Sequence, residues 1–94
     1  MAQRESKKSR EIMRALEAEG AFCFKIHGGA SMMAGLPDII CCHRGRFYGF
    51  ETKMPGGKPS KIQLFIHRKI RAAGGICEVV LTPADALALL VHDA

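Results

Sequence analysis

Three features of the sequence predict an α/β domain, a mixed sheet of about four strands flanked by helices in the order α-β-β-β-α-β-α. A helical stripe of Ile12, Met13 and Leu16 is followed, after Gly20, by strand-like alternation. The stretch from Gly35 to Lys53 reads as two short strands joined by a tight turn at His43 to Arg46. A second helical stripe then leads into a continuous apolar run, Ile76 to Leu81, which a right-handed crossover lays parallel to an earlier strand. The 94 residues make one domain, 1–94, near the lower end of what a single core sustains, which favours dimerisation.

The first helix is predicted from about Arg4 to Glu19, ending at Gly20. At 100° per residue, Glu5 falls within about 20° of both Ile12 and Leu16, so it points along the buried stripe. Glu11 and Glu17 fall well off that stripe and are expected in solvent. Ala21 to His27 follows as a strand. It has Phe22, Phe24 and Ile26 on one face and Cys23, Lys25 and His27 on a polar face expected to border the site. Residues 28–35 form a loop with glycines at both ends. It lacks the Gly-Lys-Ser/Thr ending and glycine spacing of a P-loop, so no nucleotide cofactor is expected. Ser31 in this loop is a candidate phosphate contact.

The hairpin carries the chemistry. Side chains repeat every second residue on a strand, so Glu51 and Lys53 project from one face. Folding back at Arg44-Gly45 brings Asp38 level with them, although thirteen residues separate it from Glu51. Two carboxylates are the hard oxygen ligands that Mg²⁺ prefers, and a lysine alongside can orient or deprotonate an attacking water. An E-x-K pair alone reads more readily as a cross-strand ion pair on a solvated face, and only its context favours the metal site.

Residues 54–59, rich in glycine and proline, make a turn before the second helix. Ser60 and Gln63 have the S-x-x-Q spacing of a capping box, and Ile62, Phe65, Ile66, Ile70 and Ala73 form the expected core-facing stripe. Thr82-Pro83-Ala84-Asp85 starts a last helix, packed down by Leu87, Leu90 and Val91.

A formal charge of +5 favours an anionic partner. The basic clusters include Lys7, Lys8 and Arg10, then Arg44 and Arg46, then Lys58 and Lys61. No apolar run approaches the ~18 residues of a membrane span, and the charged N-terminus is no signal peptide, so a soluble intracellular protein is expected. Cys23, Cys41, Cys42 and Cys77 show no C-x-x-C spacing, and neighbours on a strand point to opposite faces. All four read as reduced, mostly buried apolar residues.

The order Lys25-Ile26-His27-Gly28-Gly29, Ala34-Gly35-Leu36-Pro37-Asp38, Arg44-Gly45-Arg46-Phe47, Glu51-Thr52-Lys53, Pro55-Gly56-Gly57, Ser60, Gln63 and Ala73-Gly74-Gly75 resembles the VRR-NUC domain. This is the virus-type replication-repair nuclease family of the PD-(D/E)xK superfamily, and a free-standing, phage-like member of it is expected. The resemblance covers nearly the whole chain. It implies a restriction-endonuclease-like fold and Mg²⁺- or Mn²⁺-dependent endonucleolytic hydrolysis of DNA. It further implies a preference for branched DNA such as four-way (Holliday) junctions, a homodimer, and a place in the cytoplasm of a phage host.

Carried onto this sequence, the resemblance implies Asp38 and Glu51 as metal ligands and Glu5 as a further one, directly or through water. The Thr52 backbone carbonyl is another candidate ligand, Lys53 activates the water, and Gln63 stands beside the metal. Lys25, His27, Ser31, Arg44, Arg46, Lys58 and Lys61 are the candidate nucleic-acid contacts. Two alternatives stay open: a nucleic-acid-binding module that cuts nothing, and a nuclease acting on RNA or on DNA in general.

Overall fold

The turn at the tip of the hairpin has two residues, Arg44 and Gly45, both with positive φ (53° and 78°). That pair matches the right-handed twist of the flanking strands and sets their register. The computed structural model describes residues 2–28 and 32–90, with side chains from residue 7 onward. Its elements are α1 (Ala2–Ala18), β1 (Phe22–Lys25), β2 (Ile39–His43), β3 (Arg46–Thr52), α2 (Lys61–Ala72), β4 (Ile76–Val80) and α3 (Pro83–Leu89). The strands form one sheet in the order β1-β2-β3-β4, with β1, β2 and β3 antiparallel and β4 parallel to β3. No described helix is long and apolar enough to cross a membrane.

One face of the sheet is covered by α1 and α3. Ile12 and Leu16 of α1 and Ala86 of α3 pack with Cys23, Ile39, Cys41, Tyr48, Phe50 and Val80 in the main core. Glu11 and Glu17 are exposed. Both later helices begin in full capping boxes, Ser60 with Gln63 and Thr82 with Asp85. The reciprocal bonds satisfy backbone N–H groups that a helix start leaves without partners.

The second face carries α2, and here the structure corrects the expected core-facing stripe. Within α2, Ile62 and Phe65 are each 47% exposed, whereas Ile66 and His67 are buried. The helix is therefore rotated from the purely apolar stripe, and a histidine takes an inward position. In β1 the alternation holds but the buried face is Cys23, not the phenylalanines: Phe22 is 69% and Phe24 46% exposed. The reason is coverage. Cys23 faces α1, while α2 packs against β4 at the far side of the sheet and leaves the β1 end of the second face open.

Gly35 fixes where α2 sits. It has φ +85°, and a Cβ there would lie 2.7 Å from the Ile62 carbonyl oxygen and 2.9 Å from Ile66. Only glycine permits both that backbone angle and that approach. The loop before Asp38 is thereby pressed against the first turn of α2, next to the strand ends that hold the carboxylates.

Candidate active site

Ile39 pairs with Phe50 at the open end of the hairpin, so Asp38 and Glu51 stand one step beyond the last paired residues. Asp38 is tethered by the next residue of β3. The Thr52 backbone N–H and hydroxyl both donate to Asp38 Oδ2, at 2.9 and 2.7 Å. Buried Ser9 of α1 lies 3.4 Å from the Thr52 hydroxyl. With Thr52 donating to Asp38, Ser9 is the donor in that second contact. One oxygen of Asp38 is thus occupied and the other keeps its lone pairs.

Glu51 is 1% exposed. Its Oε2 takes a hydrogen bond from Gln63 Nε2 at 3.1 Å and an ion pair from Lys53 Nζ at 3.3 Å. Its Oε1 is buried without a hydrogen-bond partner, 3.8 Å from His67 Nε2. Burial pushes the Glu51 carboxyl up to about 7, and the Asp38 charge adds to this while Lys53 opposes it. His67 is shifted the other way, chiefly by burial and then by the Arg71 charge. In both groups the desolvated site disfavours the charged form.

The structure thus brings Asp38, Glu51, Lys53 and Gln63 to one place. Gln63 fills its capping role and its site role together, since its Oε1 accepts from the Ser60 N–H at 2.8 Å while its Nε2 reaches Glu51. The turn at 54–57 folds back beside Lys53, where a Cβ on Gly57 would come within 3.5 Å of Lys53 Cβ. Glu5 belongs to α1, but its side chain lies outside the described residues, as does Ser31. Lys8 is engaged within the fold, donating to the Leu81 carbonyl at 2.6 Å and lying 3.4 Å from the Lys53 carbonyl.

The candidate nucleic-acid contacts are spread out. Lys25 and His27 line a recess of about 290 Å³ with Arg10 and Met13, on the face of the sheet that α1 covers. Lys58 and Lys61 are exposed around the start of α2. Arg44 and Arg46 lie at the hairpin tip, roughly 17 Å along β3 from Glu51 at the usual strand rise. Three residues at the site escaped the sequence reading: His67, the Thr52 hydroxyl and Ser9. His67 had a signal, since it is four residues after Gln63 and so shares its helix face.

The residues present fit a hard divalent cation. Glu51 offers a buried oxygen without a partner, Asp38 offers its second oxygen, and the donors are all carboxylate. Among the described residues no group of three His, Cys, Asp or Glu side chains suits a metal. A two-carboxylate site is characteristic of Mg²⁺, which keeps several of its waters.

Fold and site together define a nuclease domain of the PD-(D/E)xK class. The chain belongs to the archaeal Holliday junction resolvase (Hjc) family, whose family model matches residues 1–71. It is also similar to a solved structure described as a VRR_NUC domain, at 25% identity and a TM-score of 0.74, over 90% of this chain and 91% of that one. Among curated proteins, none matches the chain.

Proposed function

We propose that this nuclease is a divalent-metal-dependent DNA endonuclease that cuts branched DNA, four-way junctions above all, as an intracellular homodimer. The observation that carries the reading is the convergence on Glu51 of Asp38, Lys53 and Gln63, from the ends of two strands and the start of a helix. A surface ion pair would be solvated, whereas Glu51 is 1% exposed. The family's name supports the junction as substrate.

Asp38 and Glu51 would hold Mg²⁺ or Mn²⁺, with the Thr52 carbonyl and Glu5 of α1 as further ligands. A cation so held screens the phosphate and lowers the pKa of its bound water from the bulk value of ~15.7. Thr52 and Ser9 keep the Asp38 carboxylate oriented. Lys53 Nζ donates a hydrogen bond to the attacking water and sets a positive charge where the phosphate becomes more negative. Gln63 fixes the Glu51 carboxylate from α2. Lys25, His27, Ser31, Arg44, Arg46, Lys58 and Lys61 contact phosphates along the DNA, a sequence-independent mode that suits recognition of branch shape.

What supports a symmetric pair is the open half of the sheet. Phe22, Phe24 and Phe47 are 69%, 46% and 45% exposed, and Phe22, Cys42 and Phe47 lie side by side in register. Two active sites about a two-fold axis can cut two strands of a symmetric junction.

The test is cleavage of labelled four-way, flap, single-stranded and linear duplex DNA, with and without Mg²⁺ or Mn²⁺. The expected result is metal-dependent cutting of the four-way substrate well ahead of linear duplex of the same sequence. Equal cutting of both would leave a general nuclease. Metal-independent binding with no products would leave a binding module.

A further inference from the structure

Glu51 is approached from α2 at two points one helical turn apart. Gln63 donates to Oε2 at 3.1 Å, and His67, four residues later, lies 3.8 Å from Oε1 through Nε2. His67 is 1% exposed, and neither ring nitrogen has a hydrogen-bond partner. A buried polar group without a partner costs on the order of 1–3 kcal/mol, so packing alone favours an aliphatic residue at this position. What gives the imidazole a use is the atom facing it. An Nε2–H is a donor, and Glu51 Oε1 is a buried acceptor that also has no partner.

The separation exceeds the usual ~3.0 Å hydrogen bond by less than ~1 Å. Catalytic-site hydrogen bonds that are long in the resting protein tighten when the site is loaded. The contacts divide the carboxylate, with Gln63 and Lys53 on Oε2 and His67 on Oε1. Oε2 thus has both of its lone pairs engaged, whereas Oε1 keeps a second lone pair for another partner.

We propose that His67 is a positioning residue for Glu51. With Gln63 it sets the plane of the carboxylate from one face of α2, so that Glu51 and Asp38 present their free lone pairs to the same divalent cation. The inference rests on Glu51 being a metal ligand, as argued above. His67 itself is enclosed and acts on the reaction only through Glu51.

The experiment is Mn²⁺ titration by calorimetry of the unaltered protein and of His67→Leu, His67→Gln and Asp38→Asn, with thermal unfolding of each in EDTA. His67→Leu is expected to bind Mn²⁺ tenfold or more weakly, the scale usual for partners that orient a ligand. Its melting temperature in EDTA should be equal to or above that of the parent. His67→Gln, which keeps a donor and cannot fail by the loss of polarity, should recover most of the affinity.

Binding by His67→Leu within twofold of the parent would overturn the inference, and so would a His67→Gln no better than His67→Leu. If either occurs while Asp38→Asn still abolishes binding, only the role of His67 falls. If the unaltered protein binds no Mn²⁺, the proposed function falls with it.

Discussion

The side-chain amide of Gln63 joins two structures at once: its Oε1 accepts from the Ser60 N–H at 2.8 Å and its Nε2 donates to Glu51 Oε2 at 3.1 Å. The start of α2 is thereby locked to the end of β3. Gln63→Glu separates the roles, because glutamate serves equally well in the capping position but sets a like charge against Glu51. We expect Gln63→Glu to keep the thermal stability of the parent within a few degrees and to lose tenfold or more in cleavage. Gln63→Ala should lose both, with a stability cost of about 1 kcal/mol from the cap. Full activity in Gln63→Glu would show that the contact with Glu51 is incidental.

Asp38→Asn, Glu51→Gln and Lys53→Ala should each abolish cleavage while the protein stays folded. The first two should also lose divalent-metal binding, whereas Lys53→Ala should retain it. Circular dichroism, calorimetric metal titration and a gel assay read the three properties separately. Activity near the parent level in any of the three variants would remove the site assignment.

The buried Glu51 predicts a dependence of stability on pH. Its carboxyl is raised from 4.5 to about 7 by burial. A group raised in the folded state contributes stability that is fully present below its unfolded value and lost as pH rises through its folded value. In EDTA the protein should therefore lose on the order of 3 kcal/mol from this source between pH 4.5 and pH 8. Glu51→Gln should escape that loss. Thermal unfolding should find the variant close to the parent at pH 4.5 and more stable at pH 8, and an equal difference at both pH values would contradict the account. The same proton competes with metal, so divalent binding to the parent should weaken as pH falls below 7.

If the open face of β1 joins two copies, charge placed on it should part them. The parent should sediment as a dimer of the 10.3 kDa chain, and Phe22→Lys with Phe24→Lys should sediment as a monomer with unchanged circular dichroism, because both side chains are exposed in the single chain. A parent mass near 10.3 kDa at micromolar concentration refutes the pair.

Local chemistry wrote much of this protein into its sequence. The Arg44-Gly45 turn selects a two-residue hairpin, and that register alone sets Asp38 opposite Glu51 with Lys53 beside it. The Ser60 and Thr82 caps start their helices for reasons contained in four residues each. What the tertiary structure decided was which side of each element another element covers. Phe22 and Phe24 share the apolar face of β1, yet they are exposed because α2 stops short of β1, and nothing in β1 encodes where α2 ends. Likewise His67 lies outside the apolar stripe expected of α2, and its place beside Glu51 follows from the rotation of α2 and its close seat on Gly35. The tether of Asp38 by Thr52 and Ser9 is of the same kind: it joins a loop, a strand and a helix that meet only when the sheet is covered. Periodicity is a property of a few consecutive residues, whereas burial belongs to pairs of surfaces distant in sequence.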